Sequence, residues 1–121
     1  MTTIKDKRIY LCAPYVERES MKAIRRARRA LINNGAASVM VPYEYIVEGT
    51  SRERGMLLRL QTLTSTVTCS AHDTGQPLYD LMALLDGWEG DPGCRLEREV
   101  AKAIGIPTIE LEEAIGAKLT R

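Results

Sequence analysis

LYDLMALLDGWEGDPGCRLEREVAKAIGIPTIEL, residues 78–111, decides the fold. It begins with a short apolar run, Leu81 to Leu85, that reads as a buried strand ending at Asp86-Gly87. The loop WEGD follows. Asp91 is a favoured N-cap and Pro92 suits the first helical position, so a helix starts here. It runs to about Ile104, where Gly105 supplies a left-handed stop and Pro107 lies beyond it. PTIEL then reads as a further strand. Strand, helix and strand in this order form a βαβ unit, whose two strands lie parallel.

Upstream, the same alternation holds. KRIYLCAP, residues 7–14, is a β-rich run ending in proline. VERESMKAIRRARRALINNG, residues 16–35, is helical: Ser20, Ile24, Ala27 and Leu31 recur at helical spacing, and Asn33-Asn34-Gly35 stops it. ASVMVP, residues 37–42, is a second short apolar run, and YEYIVEGTS, residues 43–51, reads as a loop. SRERGMLLRLQTL, residues 51–63, reads as a helix weakened by Gly55. Residues 64–77, TSTVTCSAHDTGQP, carry β-branched residues first and then the turn residues Asp73, Thr74, Gly75 and Pro77. A last helix, EEAIGAKL, follows the final strand. Strands alternating with helices indicate an α/β fold: a three-layer α/β/α sandwich around a parallel sheet of about four or five strands. Ligands of such sheets bind beyond the carboxyl ends of the strands. Ala13-Pro14-Tyr15, Pro42-Tyr43 and Asp86 to Asp91 are expected to gather at that edge.

The bulk properties fit one domain. The chain has 121 residues, is 45% hydrophobic and 27% charged, and carries a net charge of +1. So small a charge gives no global attraction to nucleic acid or to a membrane surface. No window approaches the roughly 20 apolar residues of a membrane span, and no signal-peptide shape opens the chain, so a cytoplasmic protein is expected. Cys12, Cys69 and Cys94 are three in number and widely spaced, which is no disulfide framework. Cys69 and His72 lie three apart without a second ligand pair, so no metal site is expected. Of the basic run at residues 25–29, Arg25, Arg26 and Arg29 share a face that reads as a solvated helix surface.

Glu97 is the residue that needs explaining. At 100° per residue, Leu96, Val100, Ala103 and Ile104 make the apolar face of its helix. Glu97 sits on one edge of that face, while Glu99 falls about 200° round, in solvent with Arg95 and Lys102. A carboxylate at a core margin is costly without partners. Three solutions are open: it snorkels to water, it makes a structural ion pair or hydrogen bond, or it lines a cleft where its charge is used. The early turns of the helix, near the positive dipole end, favour the anion. An ionised, positioned carboxylate is also what a nucleophile at a sugar's anomeric carbon has to be.

YLCAPY after a first strand, ALLDG ending a middle strand, then DPGCRLE and AKAIGIP together resemble the nucleoside 2-deoxyribosyltransferases and the related nucleotide N-glycosidases, most closely their small bacterial and phage branch. Asp91, Gly93 and Glu97 fill a D-x-G-x-x-x-E pattern, and Ala101, Gly105 and Pro107 fill a later A-x-x-x-G-x-P, with Ile106 where lysine is common. The matching segments cover roughly residues 8–35 and 79–110. The resemblance implies a flavodoxin-like or Rossmann-like arrangement and homo-oligomers. It gives Glu97 the nucleophile's place, Tyr10 the place of a tyrosine that holds the nucleophile, and Asp91, with Gly93, the place that binds the sugar's 5′ end. A carboxylate at Asp91 implies a free 5′-hydroxyl, since it would repel a phosphate. The family's base-binding acid falls at Asp73, one residue out of register. Pro14, Tyr15, Asp86 and Trp88 complete the expected substrate-binding set.

Each of these residues also has a plain structural reading. Asp91 serves as an N-cap, Tyr10 as core, Asp73 as a turn residue, Asp86 as a strand end, and Trp88 as a lid on the core. Two functions are therefore carried forward. In one, Glu97 attacks C1′ of a nucleoside or nucleotide to form a glycosyl-enzyme, with no metal or redox cofactor. In the other, the domain binds a nucleotide or a nucleotide-derived signal without cleaving it. The partner in both is a small molecule, with neither membrane nor nucleic acid involved.

Overall fold

The computed structural model describes residues 4–14 and 18–116. Strand β1, Arg8–Cys12, leads through helix α1, Arg18–Asn33, to β2, Ser38–Met40. Helix α2, Arg52–Leu63, and a hairpin, β3, Thr66–Cys69, and β4, His72–Pro77, intervene before β5, Leu81–Leu84. Helix α3, Pro92–Ala103, β6, Thr108–Glu110, and a short α4, Leu111–Ile115, complete the described chain. The main sheet has four strands in the order β2-β1-β5-β6, all parallel. The expected α/β/α sandwich is thus observed, at the lower strand count.

Strand alternation builds the two sides of the core. Ile9, Leu11 and Ala13 of the β1 run and Leu81, Ala83 and Leu85 of the β5 run pack with Ile24, Ala27 and Leu31 of α1 and Leu111 of α4. Tyr10, Cys12, Met82 and Leu84 face the other way, against Leu63 of α2 and Cys94 and Ala101 of α3. The start of the central pair is pinned by Asp80, whose carboxylate accepts from the Arg8 backbone N–H at 2.8 Å and from its guanidinium at 3.1 and 3.2 Å. The chain runs from β1 outward to β2, then returns to the far side of β1 as β5. The junction of β1 and β5 is therefore the topological switch point, the place where sheets of this kind generally bind ligands.

Two expectations are corrected. In residues 64–77 the turn falls at Ser70 and Ala71, with φ of 50° and 66°, and residues 72–77 form a strand of an exposed hairpin. Asp73 does turn chemistry inside that strand: it accepts from the Gly75 N–H at 2.8 Å and from Thr66 Oγ1 at 2.7 Å, beside a register shift between Thr66 and Thr68. The inward stripe of α3 is also rotated from the one its apolar residues suggest. Cys94, Glu97 and Ala101 are the buried residues of this helix, whereas Leu96 and Ile104 are 44% and 38% exposed. Glu97 is at the centre of the packed face, not at its edge.

Candidate active site at the carboxyl edge of the sheet

Glu97 is 1% exposed and is held from three sides. The Tyr10 hydroxyl, on β1, donates to Oε2, and Arg59 Nη2, from α2, donates to Oε1. The Cys12 thiol lies 3.8 Å from Oε1 and 3.7 Å from the Cys94 carbonyl. Alternation along β1 explains why Tyr10 and Cys12 arrive together, since residues two apart share a face. Of the three solutions open from sequence, snorkelling is removed and a buried ion pair is observed. Glu97 is the sixth residue of α3, past the first turn where the dipole acts, so Arg59 and Tyr10 carry its compensation.

Arg59 reaches Glu97 because α2 is inverted in polarity. Its buried residues are Gly55, Arg59 and Leu63, four apart, while Leu57 and Leu58 are exposed. The side chain of Arg59 is 9% exposed. Its guanidinium stacks on the Tyr43 ring at 4.9 Å and leans over the first turn of α3. A Cβ on Gly93 would lie 2.8 Å from Arg59 Nη1, so the glycine is what lets the arginine approach. Its Nε is buried with no hydrogen-bond partner. Burial pushes the Glu97 carboxyl up from its ordinary value, against the opposing pull of Arg59 and Tyr10. Burial and the Glu97 charge together hold Tyr10 as a neutral phenol, able to donate. The neighbouring Cys94 and burial hold Cys12 as a thiol, a poor nucleophile.

Arg59 is also a wall of a cleft of about 1360 Å³. Asp91, the N-cap of α3, lines it with Pro92, Gly93 and Leu96 of that helix, Tyr43 from the 3-10 turn Pro42–Tyr45 that follows β2, and Met21 and Arg25 from α1. Glu97 does not line the cleft, and sits one side chain behind it. Asp91 caps α3, with Oδ1 accepting from the Gly93 and Cys94 N–H groups at 2.8 and 3.2 Å, while also facing the cleft.

The structure thus brings together Glu97, Tyr10, Asp91 and Gly93 of the expected set. Pro14 is half-buried near Gly87, whose Cβ would lie 3.5 Å from the proline ring. Asp86 is exposed, Asp73 lies on the hairpin, and neither lines the cleft. Trp88 packs on the core, donates to Glu110 at 3.1 Å and carries the Arg98 guanidinium at 5.4 Å, which is its structural role. Tyr15 lies outside the described residues. Arg59 escaped sequence reasoning, because one of three arginines in a helix that also carries Leu57 and Leu58 gives no inward signal. Among the described residues, Cys12, Cys94 and Glu97 are the one group of three potential metal ligands, their ligand atoms within 4.8 Å of one another, and Arg59 and Tyr10 already occupy both carboxylate oxygens. Among the described residues, no helix is long and apolar enough to cross a membrane.

Compared with known proteins, the chain matches no family model and no curated sequence.

Proposed function

We propose that this domain cleaves or transfers at the N-glycosidic bond of a (deoxy)nucleoside or nucleotide, with Glu97 as nucleophile. One observation carries the reading: a buried carboxylate at the sheet's switch point, gripped by Tyr10 on one oxygen and by a cleft-lining arginine on the other. In this reading Oε1 bonds to C1′ as the C1′–N bond breaks and its electron pair passes to the base. Water or a second base then attacks C1′ and frees the carboxylate. Tyr10 orients Glu97 throughout. Asp73, exposed and bonded to Thr66 and Gly75, is a poor proton source for the departing base, and water in the cleft is the better one. Homo-oligomer formation belongs to the same reading, supported by the exposed apolar residues Val47, Leu57 and Leu96 along the cleft.

The second reading is nucleotide binding without cleavage. Its support is the near-complete burial of Glu97 behind Arg59. Incubating the protein and its Glu97→Gln variant with a panel of deoxynucleosides and deoxynucleotides, and following free base by chromatography, separates the two. Base release by the unmodified protein alone is the expected result. Equal turnover by the variant removes Glu97 from the mechanism. A thermal shift with ligand but without released base selects the binder.

A further inference from the structure

We propose that the cleft contains a phosphate subsite centred on Arg59, and that filling it draws the guanidinium off Glu97 and uncovers the carboxylate. This deepens the reading of Glu97 as nucleophile by naming the substrate class: a ligand carrying a phosphate group releases the group that attacks it.

Arg59 is underused where it stands. A guanidinium has five N–H donors in a fork that fits a phosphate through two parallel bonds. Glu97 takes only one of its nitrogens, Nη2, because the second carboxylate oxygen faces Tyr10. Nε, on the edge of the fork, is buried without any hydrogen-bond partner, although the side chain is a wall of the cleft. An unmet donor on a charged, nine-tenths buried group is costly and calls for an acceptor. A phosphate oxygen entering from the cleft supplies one.

The surroundings suit an anion and a moving arginine. Arg25 from α1 and Arg52 from α2 line the same cleft. Among the described residues its acids are Glu48, Glu53 and Asp91, and Asp91 has Oδ1 committed to the Gly93 and Cys94 N–H groups of α3. The repulsion expected of a free Asp91 carboxylate is therefore reduced by its cap bonds and by Arg59 beside it. Gly93 leaves the guanidinium a smooth surface to slide over, and Tyr43 keeps a ring face under it. When Arg59 turns to the ligand, Glu97 retains the Tyr10 hydroxyl and stays oriented.

Isothermal titration calorimetry with inorganic phosphate, 2′-deoxyadenosine 5′-monophosphate and 2′-deoxyadenosine tests this. In Glu97→Gln the guanidinium loses its counter-charge, so phosphate is expected to bind about tenfold tighter or more than to the unmodified protein. In Arg59→Gln it is expected to weaken by at least about tenfold. The unmodified protein is expected to prefer the monophosphate to the nucleoside by a similar factor, which needs no variant to fold. A nucleotide preference without measurable binding of free phosphate still supports the subsite, as part of a nucleotide site. Equal affinity for monophosphate and nucleoside overturns it, as does phosphate binding unchanged in both variants. Phosphate binding breaks no bond, so the subsite stands or falls on calorimetry and the nucleophile on base release.

Discussion

Arg59→Met isolates the buried charge pair. The two side chains are 9% and 1% exposed, so water cannot take the place of the lost guanidinium. Removing one partner of such a pair costs about 3–5 kcal/mol, against about 0–1 kcal/mol for an exposed pair. That is a large part of the roughly 5–15 kcal/mol that holds a domain folded. With a urea dependence of about 2 kcal/mol per molar, the unfolding midpoint followed by circular dichroism falls by about 2 M. The loss depends on pH in a known direction. Burial already raises the Glu97 carboxyl, and losing Arg59 raises it further. A carboxyl raised in the folded state binds its proton more tightly there than in the unfolded chain, whose value is about 4.3. The variant therefore loses stability as pH climbs from that value through the raised one, and regains it on acidification. Its deficit is largest at neutral pH. The double variant Arg59→Met, Glu97→Met recovers most of the loss, because two apolar side chains need no counter-charge. A single-variant deficit below about 1 kcal/mol at pH 7 would refute the reasoning, since the pair would then behave as though solvated.

Gly93→Ala puts a methyl group 2.8 Å from a pinned guanidinium, and is expected to cost about 1–3 kcal/mol in the same urea assay. Combined with Arg59→Met, that cost largely disappears, which a double-mutant cycle reads directly. Asp91→Ala removes the cap of α3 and is expected to lose about 1 kcal/mol, with Asp91→Ser keeping most of it. Arg8 holds the Asp80 carboxyl below the ordinary carboxylate range, chiefly through hydrogen bonds. A lowered folded value gives stability above the unfolded value that is lost as pH falls through the folded one, so Asp80→Asn is expected to flatten the acid side of a thermal-stability profile.

The βαβ unit at residues 78–111 was legible because its punctuation is strong: Asp91-Pro92 opens the helix, Gly105 closes it at φ of +85°, and the strand before it is continuously apolar. The facing of α3 was not. Its apolar residues vote for a side that includes Leu96 and Ile104, while the packed side carries Glu97. Helix α2 shows the same inversion, with Arg59 inside and Leu57 and Leu58 outside. Hydrophobic periodicity weighs each helix alone: it puts Glu97 only at the edge of the apolar face and gives Arg59 no inward signal. What turns both inward is their mutual neutralisation, a tertiary term that no single-helix pattern contains. Opposite charges on two helices that each face the sheet are the signal to look for. The hairpin was obscured for a different reason: Asp73-Thr74-Gly75 has turn chemistry, but the reversal occurs at Ser70-Ala71, two residues without the composition that favours a positive φ.

A covalent sugar on Glu97 is the decisive observable. Rapid acid quenching of the protein with a deoxynucleoside monophosphate, followed by peptide mass spectrometry, is expected to show a mass increase equal to the sugar phosphate on the peptide containing Glu97, and none in Glu97→Gln. A protein that releases base without ever carrying that adduct, or carries it on another residue, would contradict the assignment.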